Sequence, residues 1–413
     1  MSDGTAAADT SAATYRTWEK AAFVAYNAGD RQGFLDNMQH AYSARPDHPR
    51  LIYNLAVANV LNGNNDRATA LVSELAAMKL SFPVTQDEDF APLLTEPAFM
   101  AAARQLAANG DPQGHPELAF SVSCKGLVAE GIAYDPRTGD FYLGSIAKRE
   151  IWRVDADGKA GVFIGSAAGL WSVFGMSVDT AHRKLWVATA AHDQMPGLKP
   201  DEAGKSAILA FDLDNKKLLH RWDIAGPEPH LVGDLTISSG GDVFATDSVA
   251  HSIYTISSDD GKLERLISDD RFSSLQGIAL SDDGRYAFVS DYSGGISRIE
   301  LSSTSIVTFP SPPATTTLGI DGLYMAGNAL IGVQNGVGPQ RIVRLALSPT
   351  LDRINDVEVL AAAAPEFNDL TLGVPVDGKF YFIANSQWNL LGPHGAFTHP
   401  ERLQNLNIMR VSL

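Results

Sequence analysis

The sequence predicts a mainly β protein, a six-bladed β-propeller preceded by a small all-α region. Three observations predict this fold. A short strand with alternating apolar and polar residues recurs six times, a hairpin precedes each copy, and the chain ends on a third strand rather than a fourth. The first 108 residues instead carry apolar side chains at helical spacing. With 413 residues, 45% of them hydrophobic, the chain can form two domains with substantial cores.

The N-terminal region repeats with a period of 34 residues. Gly29 and Gly63 are separated by this distance, and Phe34 corresponds in the same way to Ala68. A helix–turn–helix unit of this length is typical of tetratricopeptide repeats. We therefore expect two degenerate tetratricopeptide-like repeats and a third helical segment over 96–108. They would form either a cap on the second domain or a surface that docks a protein partner.

A Pro- and Gly-rich stretch separates the helical pattern from the strand pattern. We expect a flexible N-terminus over 1–13, a helical domain over 14–108, a linker over 109–116 and the propeller over 117–413. The six copies of the recurring strand begin at the following residues: Glu150, Ala207, Ser252, Gly295, Arg341 and Asn407. The segment 117–124 reads as a strand that precedes the first blade, and we expect it to complete the last blade and so close the ring.

Composition excludes several classes of protein. The net charge of −16 does not favour nucleic acid or an anionic membrane as a partner. The single cysteine, Cys124, excludes an internal disulfide, a thiolate zinc site and an iron–sulfur cluster. No apolar run is long enough to span a membrane. We expect a soluble protein, cytoplasmic as written, or periplasmic or secreted if a signal peptide was removed.

Oxygen-bearing side chains are predicted to converge where the tunnel of the propeller opens. The first strand of a blade begins there, and the loop after the second strand returns there. At the start of the first strand, blade by blade, the residues are Glu130, Phe174, Gly233 (followed by Asp234), Gln276, Asp321 and Asn368. At the end of the second strand they are Ser145, Thr189, Asp247, Asp291, Asn335 and Asn385. Single Asp and Asn residues at strand ends commonly close turns. Several converging oxygens also suit Ca²⁺, which takes about 6–8 oxygen ligands.

The blade pattern, with Glu130-Gly-Ile-Ala and Asp321-Gly-Leu, resembles the senescence marker protein, gluconolactonase and luciferin-regenerating family, whose relatives include paraoxonases and strictosidine-synthase-like proteins. The resemblance covers about 117–413. It implies a divalent metal, usually calcium, held at the tunnel mouth by Glu130, Gln276 and Asp321. Two positions differ from the family pattern, because Gln276 replaces an Asn and Gly233 replaces another Asn.

The resemblance implies hydrolysis of lactones or esters, a small-molecule reaction in which the metal polarises the carbonyl. Asp321 would be both ligand and candidate base. The further candidate bases are His230 and His192, with Asp234, Asp291 and Asp369 as alternatives. We expect the following side chains to bind substrate: Phe174, His192, Asp291, Tyr292, Asn335, Asn385 and Trp388. Two other functions stay open, a non-catalytic binding propeller with a helical docking module, and a metal-using lyase or condensing enzyme on the same scaffold.

Overall fold

The computed structural model describes residues 11–413, and their side chains from Tyr15 onwards. The predicted N-terminal segment over 1–13 therefore lies outside the described residues, except where 11–13 begin the first helix. Two compact units are present. One runs to Asp111 and includes Ser311–Thr317, and the other comprises Pro112–Pro310 and Leu318–Leu413. None of the described helices is both long and apolar enough to cross a membrane.

The described part of the first unit contains five α-helices that pack in sequence order, each against the next. They are α1 (Ser11–Asn27), α2 (Arg31–Ala44), α3 (Pro49–Leu61), α4 (Asn65–Ala77) and α5 (Pro97–Ala108). Gly29 follows α1 and Gly63 follows α3, both with positive φ, which glycine adopts at little cost when it ends a helix. The buried Phe34 in α2 and Ala68 in α4 occupy equivalent places. These helix pairs fit the tetratricopeptide-like prediction.

The second unit is a six-bladed β-propeller, which confirms the predicted fold class. Each blade is one antiparallel sheet, and strands that follow each other in the chain are neighbours in it. The strands of blades one to three are β3 (Ala129–Asp135), β4 (Asp140–Ser145), β5 (Ile151–Val154), β6 (Ala160–Ile164), β7 (Ser172–Asp179), β8 (Lys184–Ala190), β9 (Ser206–Asp212), β10 (Leu218–Asp223), β11 (Val232–Ile237), β12 (Val243–Asp247), β13 (Ser252–Ile256) and β14 (Leu263–Ser268).

The remaining blades show how the ring is completed. Their strands, with the two that precede blade one, are β15 (Leu275–Leu280), β16 (Tyr286–Asp291), β17 (Gly295–Glu300), β18 (Ser305–Thr308), β19 (Ile320–Ala326), β20 (Ala329–Gln334), β21 (Arg341–Leu347), β22 (Ile354–Ala362), β23 (Gly373–Val376), β24 (Lys379–Ile383), β25 (Leu406–Ser412), β1 (Gln113–Gly114) and β2 (Glu117–Val122). Strand β2 pairs with β25 and supplies the fourth strand of blade six. Strand β1, in the stretch predicted as a linker, pairs with β22.

The first strand of every blade lies on the inner side of the ring. Strand β3 contacts β7, and the series continues through β11, β15, β19 and β23 back to β3. Apolar clusters fill the spaces between adjacent blades. The inner strands approach each other closely, since a Cβ added at Gly131 would overlap the carbonyl oxygen of Phe174 in the next blade. Glycine is required at this position for the ring to close.

Candidate functional site

The inner strands bring polar side chains to one end of the propeller. Glu130, Gln276 and Asp321 are each the second residue of an inner strand, in β3, β15 and β19. In all three strands the pairing register shifts across this residue and the glycine that follows it. The shift interrupts the ladder and re-aims the side chain, as β-bulges commonly do. The repeated position in the blade therefore places the three predicted metal ligands around one axis.

A cavity of about 560 Å³ lies at this end of the propeller. The predicted site residues that line it are Glu130, Phe174, Asp234, Gln276, Tyr292, Asp321, Asn335 and Trp388. The cavity also contains residues for which the sequence predicted no binding role: Leu231, Gly233, Ser248, Ser274, Gln340, Asp369, Leu370, Thr371 and Leu372. The size suits a small organic molecule.

Glu130 is a buried carboxylate held by an indole. Trp388 Nε1 donates a hydrogen bond to Glu130 Oε2 at 2.6 Å. Burial raises the pKa of Glu130 well above its usual range, and the charge of Asp321 raises it further, whereas the indole bond lowers it. The bond occupies Oε2 and thereby leaves Oε1 to face a ligand in the cavity.

Asp321 is held in a similar way by an amide. Asn335 Nδ2 donates to Asp321 Oδ2 at 2.7 Å and also to the carbonyl oxygen of Leu370 at 2.8 Å. The hydroxyl of Tyr292 donates to Asn335 Oδ1 at 2.9 Å, which fixes the orientation of the amide. Burial raises the pKa of Asp321 to about 6, and the bond from Asn335 opposes this rise. The predicted binding residues Tyr292 and Asn335 thus also orient the carboxylate.

Asp234 occupies a place where the inner strands of blades one, two, four and five have glycine. In blade three the order is Gly233-Asp234, whereas Glu130, Gln276 and Asp321 are each followed by Gly. A Cβ added at Gly175 of blade two would lie 2.6 Å from Asp234 Oδ1. Backbone N–H groups of Leu235 and Ile278 donate to the carboxylate. Burial nevertheless raises the pKa of Asp234 to about 8. Asp234 also lines a second tunnel cavity of about 460 Å³.

Gln276 and Gly233, the two positions that differ from the pattern of the family that the sequence resembles, are neighbours in space. Gln276 Oε1 lies 3.7 Å from the point where a Cβ at Gly233 would stand. The amide of Gln276 is anchored at the other end, because Nε2 donates to Ser274 Oγ at 3.0 Å. The longer side chain at 276 therefore extends beside the space that glycine leaves at 233.

The arrangement fits a hard cation. Glu130 Oε1, Asp321 Oδ1 and Gln276 Oε1 are oxygens whose companion atoms are already held by other side chains. Oxygen donors of this kind suit Ca²⁺ rather than a metal that prefers thiolate or imidazole. Within residues 11–413 no three His, Cys, Asp or Glu residues are grouped as a metal site. The candidate set instead combines two carboxylates with an amide.

Aromatic side chains form one wall of the cavity. The rings of Phe174 and Trp388 are 6.3 Å apart, and His192 packs against both, at 5.4 Å from Phe174 and 5.8 Å from Trp388. Burial lowers the pKa of His192 to about 4, so the imidazole is neutral near pH 7. His192 does not line the cavity. It supports the wall rather than contacting a ligand directly.

The loop that carries Trp388 is fixed to blade two. Gln194 Nε2 donates to the carbonyl oxygen of Leu391 at 2.5 Å, and the N–H of His394 donates to the carbonyl oxygen of Asp193 at 2.7 Å. The loop therefore crosses over blade one, and its position at the cavity is held at both ends.

Three predicted site residues have other roles in the structure. His230 is buried with Nδ1 2.7 Å from Asp247 Oδ2, and it lines a different cavity. Asp291 accepts bonds from the backbone N–H groups of Ser293 and Gly294 and so closes a turn. Asn385 bonds the backbone of residues 405 and 407 and ties blade six to the last strand. Asp291 and Asn385 thus satisfy local backbone groups, and His230 binds a side chain of its own blade. None of the three lines the 560 Å³ cavity.

Asp369 is the cavity carboxylate that the sequence analysis named only as an alternative candidate base. It lies four residues before β23, which begins later than the repeat pattern predicted. Its backbone has φ of +61°, and its Oδ2 accepts a bond from the N–H of Asn389 at 3.1 Å. The signal available in the sequence was its position after Asn368, the blade-six counterpart of Asp321.

Comparisons with known proteins identify propellers of different activities. No protein-family model matches the chain, and no curated protein matches it. Similar solved structures include a gluconolactonase from Xanthomonas campestris (14% identity, 73% of this chain and 95% of that one, TM-score 0.49). Regucalcin from Agrobacterium tumefaciens, described as a calcium-binding protein, shares 16% identity over 71% of this chain and 95% of its own, with a TM-score of 0.49. A virginiamycin B lyase from Staphylococcus aureus shares 14% identity over 73% of this chain and 100% of its own, with a TM-score of 0.48.

Proposed function

We propose that the chain is a Ca²⁺-dependent hydrolase of lactones or esters, with its site in the 560 Å³ cavity. One observation carries the proposal: the buried Glu130 and the half-buried Asp321 are each held through one oxygen by a neutral donor, and the amide of Gln276 lines the same cavity. Neutral donors orient a carboxylate without neutralising its charge. A site built in this way is suited to a cation.

Electrostatics supports the same proposal. Burial raises the pKa values of Glu130 and Asp321, and the charge of Asp321 raises that of Glu130 further, so without a cation these carboxyl groups retain protons more readily than exposed ones do. Ca²⁺ would be held by Glu130, Gln276 and Asp321 and would replace those protons. When bound, a divalent cation supplies polarisation of the substrate carbonyl and stabilisation of negative charge on its oxygen.

The chain's own residues supply the proton transfer. Asp234 is the proposed base because it lines the cavity, lies outside the proposed ligand set and has a pKa of about 8. Its carboxylate would take the proton from the attacking water. The same proton would then pass to the oxygen released when the carbonyl carbon–oxygen bond breaks. Asp321 is the second candidate, although a ligand carboxylate is a weaker base. The contacts of His230 do not support the catalytic role predicted for it.

The experiment is a lactone and ester panel, followed by proton release, with the full chain. Each substrate would be tested with Ca²⁺, after chelation, and after Ca²⁺ is restored. We expect chelation to abolish turnover and Ca²⁺ to restore it. Glu130→Gln should remove turnover, whereas Asp157→Asn, an exposed acid in a blade-one turn, should not. Turnover that survives chelation, or no turnover on any substrate, would contradict the proposal.

The helical unit favours a second candidate function, a binding propeller with a docking module. Three aromatic side chains on α1 are partly exposed, Trp18, Phe23 and Tyr26. Aromatic residues on a repeat surface are common in protein-binding sites. If the panel shows no turnover, binding of a protein partner that is lost on Trp18→Ala and Phe23→Ala would support this function instead.

A further inference from the structure

We propose that the substrate of this cavity carries a positive charge, and that Asp369 receives that charge in the cavity that Tyr292 also lines. The inference rests on the proposed hydrolase function and adds the chemical class of the substrate. It follows from the charge of the cavity lining, the contacts of Asp369 and the aromatic groups that share the cavity.

The cavity lining is acidic without a basic counterpart. Four carboxyl-bearing side chains line the cavity: Glu130, Asp234, Asp321 and Asp369. No Lys, Arg or His is among the described residues that line it. An anionic substrate would enter against this charge, whereas a cationic one would be attracted. Two of the four carboxyl groups are assigned above to the cation and one to proton transfer, so Asp369 alone has no assigned role.

Asp369 is positioned to contact a ligand. It is partly exposed, unlike the buried Glu130 and Asp234. The N–H of Asn389 binds only its Oδ2, and within residues 11–413 the ion pairs that are described do not include Asp369. Its backbone is held in the left-handed region, with its carbonyl oxygen accepting the N–H of Ser386 at 3.0 Å. A carboxylate fixed in this way is ready to pair with a ligand charge.

Aromatic rings next to the carboxylate favour an organic cation. Tyr292, Phe174 and Trp388 line the same cavity. Burial, followed by the charges of Asp321 and Asp369, raises the pKa of Tyr292 to about 12, so the phenol stays neutral. The faces of aromatic rings attract ammonium groups. A carboxylate with neighbouring rings recognises a substituted ammonium group better than a compact hydrated metal ion.

The test compares two acetate esters of the same shape. One is the ester of choline, with a permanent positive charge, and the other is 3,3-dimethylbutyl acetate, its neutral isostere. Hydrolysis by the Ca²⁺-loaded full chain gives kcat/KM for each, and calorimetry gives the affinity for choline and for 3,3-dimethylbutan-1-ol. We expect a preference for the charged member of about five- to tenfold in both measurements.

Variants test whether Asp369 is the source of the preference. Asp369→Asn retains the shape and an oxygen for the N–H of Asn389, and we expect it to reduce the preference to about one. Asp157→Asn, which removes one surface charge, should leave the preference unchanged. The Ca²⁺ affinity of Asp369→Asn should be within about twofold of the parent, because Asp369 is not a proposed ligand.

The outcomes separate this inference from the proposed function. Hydrolysis of both esters with no preference for the charged one would overturn the inference and leave the hydrolase function standing. Preferential binding of choline without hydrolysis of either ester would support the inference as a binding property and contradict the hydrolase. A preference that survives Asp369→Asn, or a large loss of Ca²⁺ affinity in that variant, would overturn the role of Asp369.

Discussion

The indole of Trp388 should control how tightly Glu130 binds a cation. Trp388→Phe keeps an aromatic ring against Phe174 and His192 but removes the N–H that donates to Glu130 Oε2 at 2.6 Å. In the parent chain this bond lowers the pKa of Glu130, although burial and Asp321 raise it overall. Without the bond, the protonated form of Glu130 is favoured, so protons compete more strongly with Ca²⁺ for this carboxyl group.

The size of the effect follows from the bond that is lost. A hydrogen bond to a charged group contributes about 1.5–3 kcal/mol. Because one pKa unit corresponds to about 1.4 kcal/mol, the pKa of Glu130 should rise by about one to two units. At neutral pH the Ca²⁺ affinity should then fall by about ten- to a hundredfold. The loss should shrink as the pH is raised, since protons then compete less.

The assay is a calorimetric Ca²⁺ titration at several pH values, with Trp222→Phe as the matched control. The indole of Trp222 also donates one hydrogen bond, to the carbonyl oxygen of Gly261 at 2.8 Å, and it lies on an outer strand away from the cavity. The control should bind Ca²⁺ as the parent does. Equal affinity for the parent and Trp388→Phe at every pH would refute the reasoning.

Three further predictions concern the ring, the buried acid and the exchanged positions. Gly131→Ala should destabilise the protein by about 3 kcal/mol or more because its Cβ would overlap the Phe174 carbonyl, whereas Gly161→Ala, which meets open space, should have little effect on chemical denaturation. Because the pKa of Asp234 is raised to about 8 in the folded protein, folding is favoured when Asp234 is protonated. The melting temperature of the Ca²⁺-free protein should therefore fall from pH 4 to pH 8, and Asp234→Asn should reduce that fall. Gly233→Asn should lower the Ca²⁺ affinity because the new side chain meets Gln276 Oε1, and adding Gln276→Asn should restore that affinity. If the double variant binds Ca²⁺ as weakly as Gly233→Asn alone, the two positions are not coupled.

The propeller could be predicted because its signal is repeated. A single copy of the strand pattern is a weak signal, but six copies together predict a propeller. The missing fourth strand of blade six led to the prediction that 117–122 closes the ring. The same repetition located Glu130, Gln276 and Asp321, since equivalent positions in a ring face one axis. A long-range arrangement was therefore readable from local periodicity.

The direction of strand-end side chains could not be read in the same way. Asp291 and Asn335 were read as equivalent positions, but the strand registers make Gln334 the counterpart of Asp291, since Leu275 pairs with Asp291 and Ile320 with Gln334. Asp291 bonds its own backbone, whereas Asn335, one position further along, reaches Asp321. The repeat pattern did not resolve this offset of one residue, which decides the side of the strand that a side chain faces. His230 is a comparable case, because Asp247, the strand-end acid of the same blade, binds its imidazole.

Irregular loops limited the prediction in blade six. Strand β23 begins only at Gly373, so Asp369 precedes it in a loop with a positive φ. Trp388 was predicted to bind substrate, but its bond to Glu130 depends on how the loop after β24 crosses to blade two. Such a crossing involves residues far apart in the chain, and no periodic pattern records it.

The central claim is that Glu130, Gln276 and Asp321 together bind a cation on which hydrolysis depends. The most direct measurement is a Ca²⁺ titration of the chelated full chain in which bound Ca²⁺ and lactone or ester turnover are recorded on the same samples. We predict that turnover rises in proportion to Ca²⁺ bound at a single site, and that Glu130→Gln abolishes both while Asp157→Asn preserves both. Absence of Ca²⁺ binding, or binding that is unchanged in Glu130→Gln, would contradict the account.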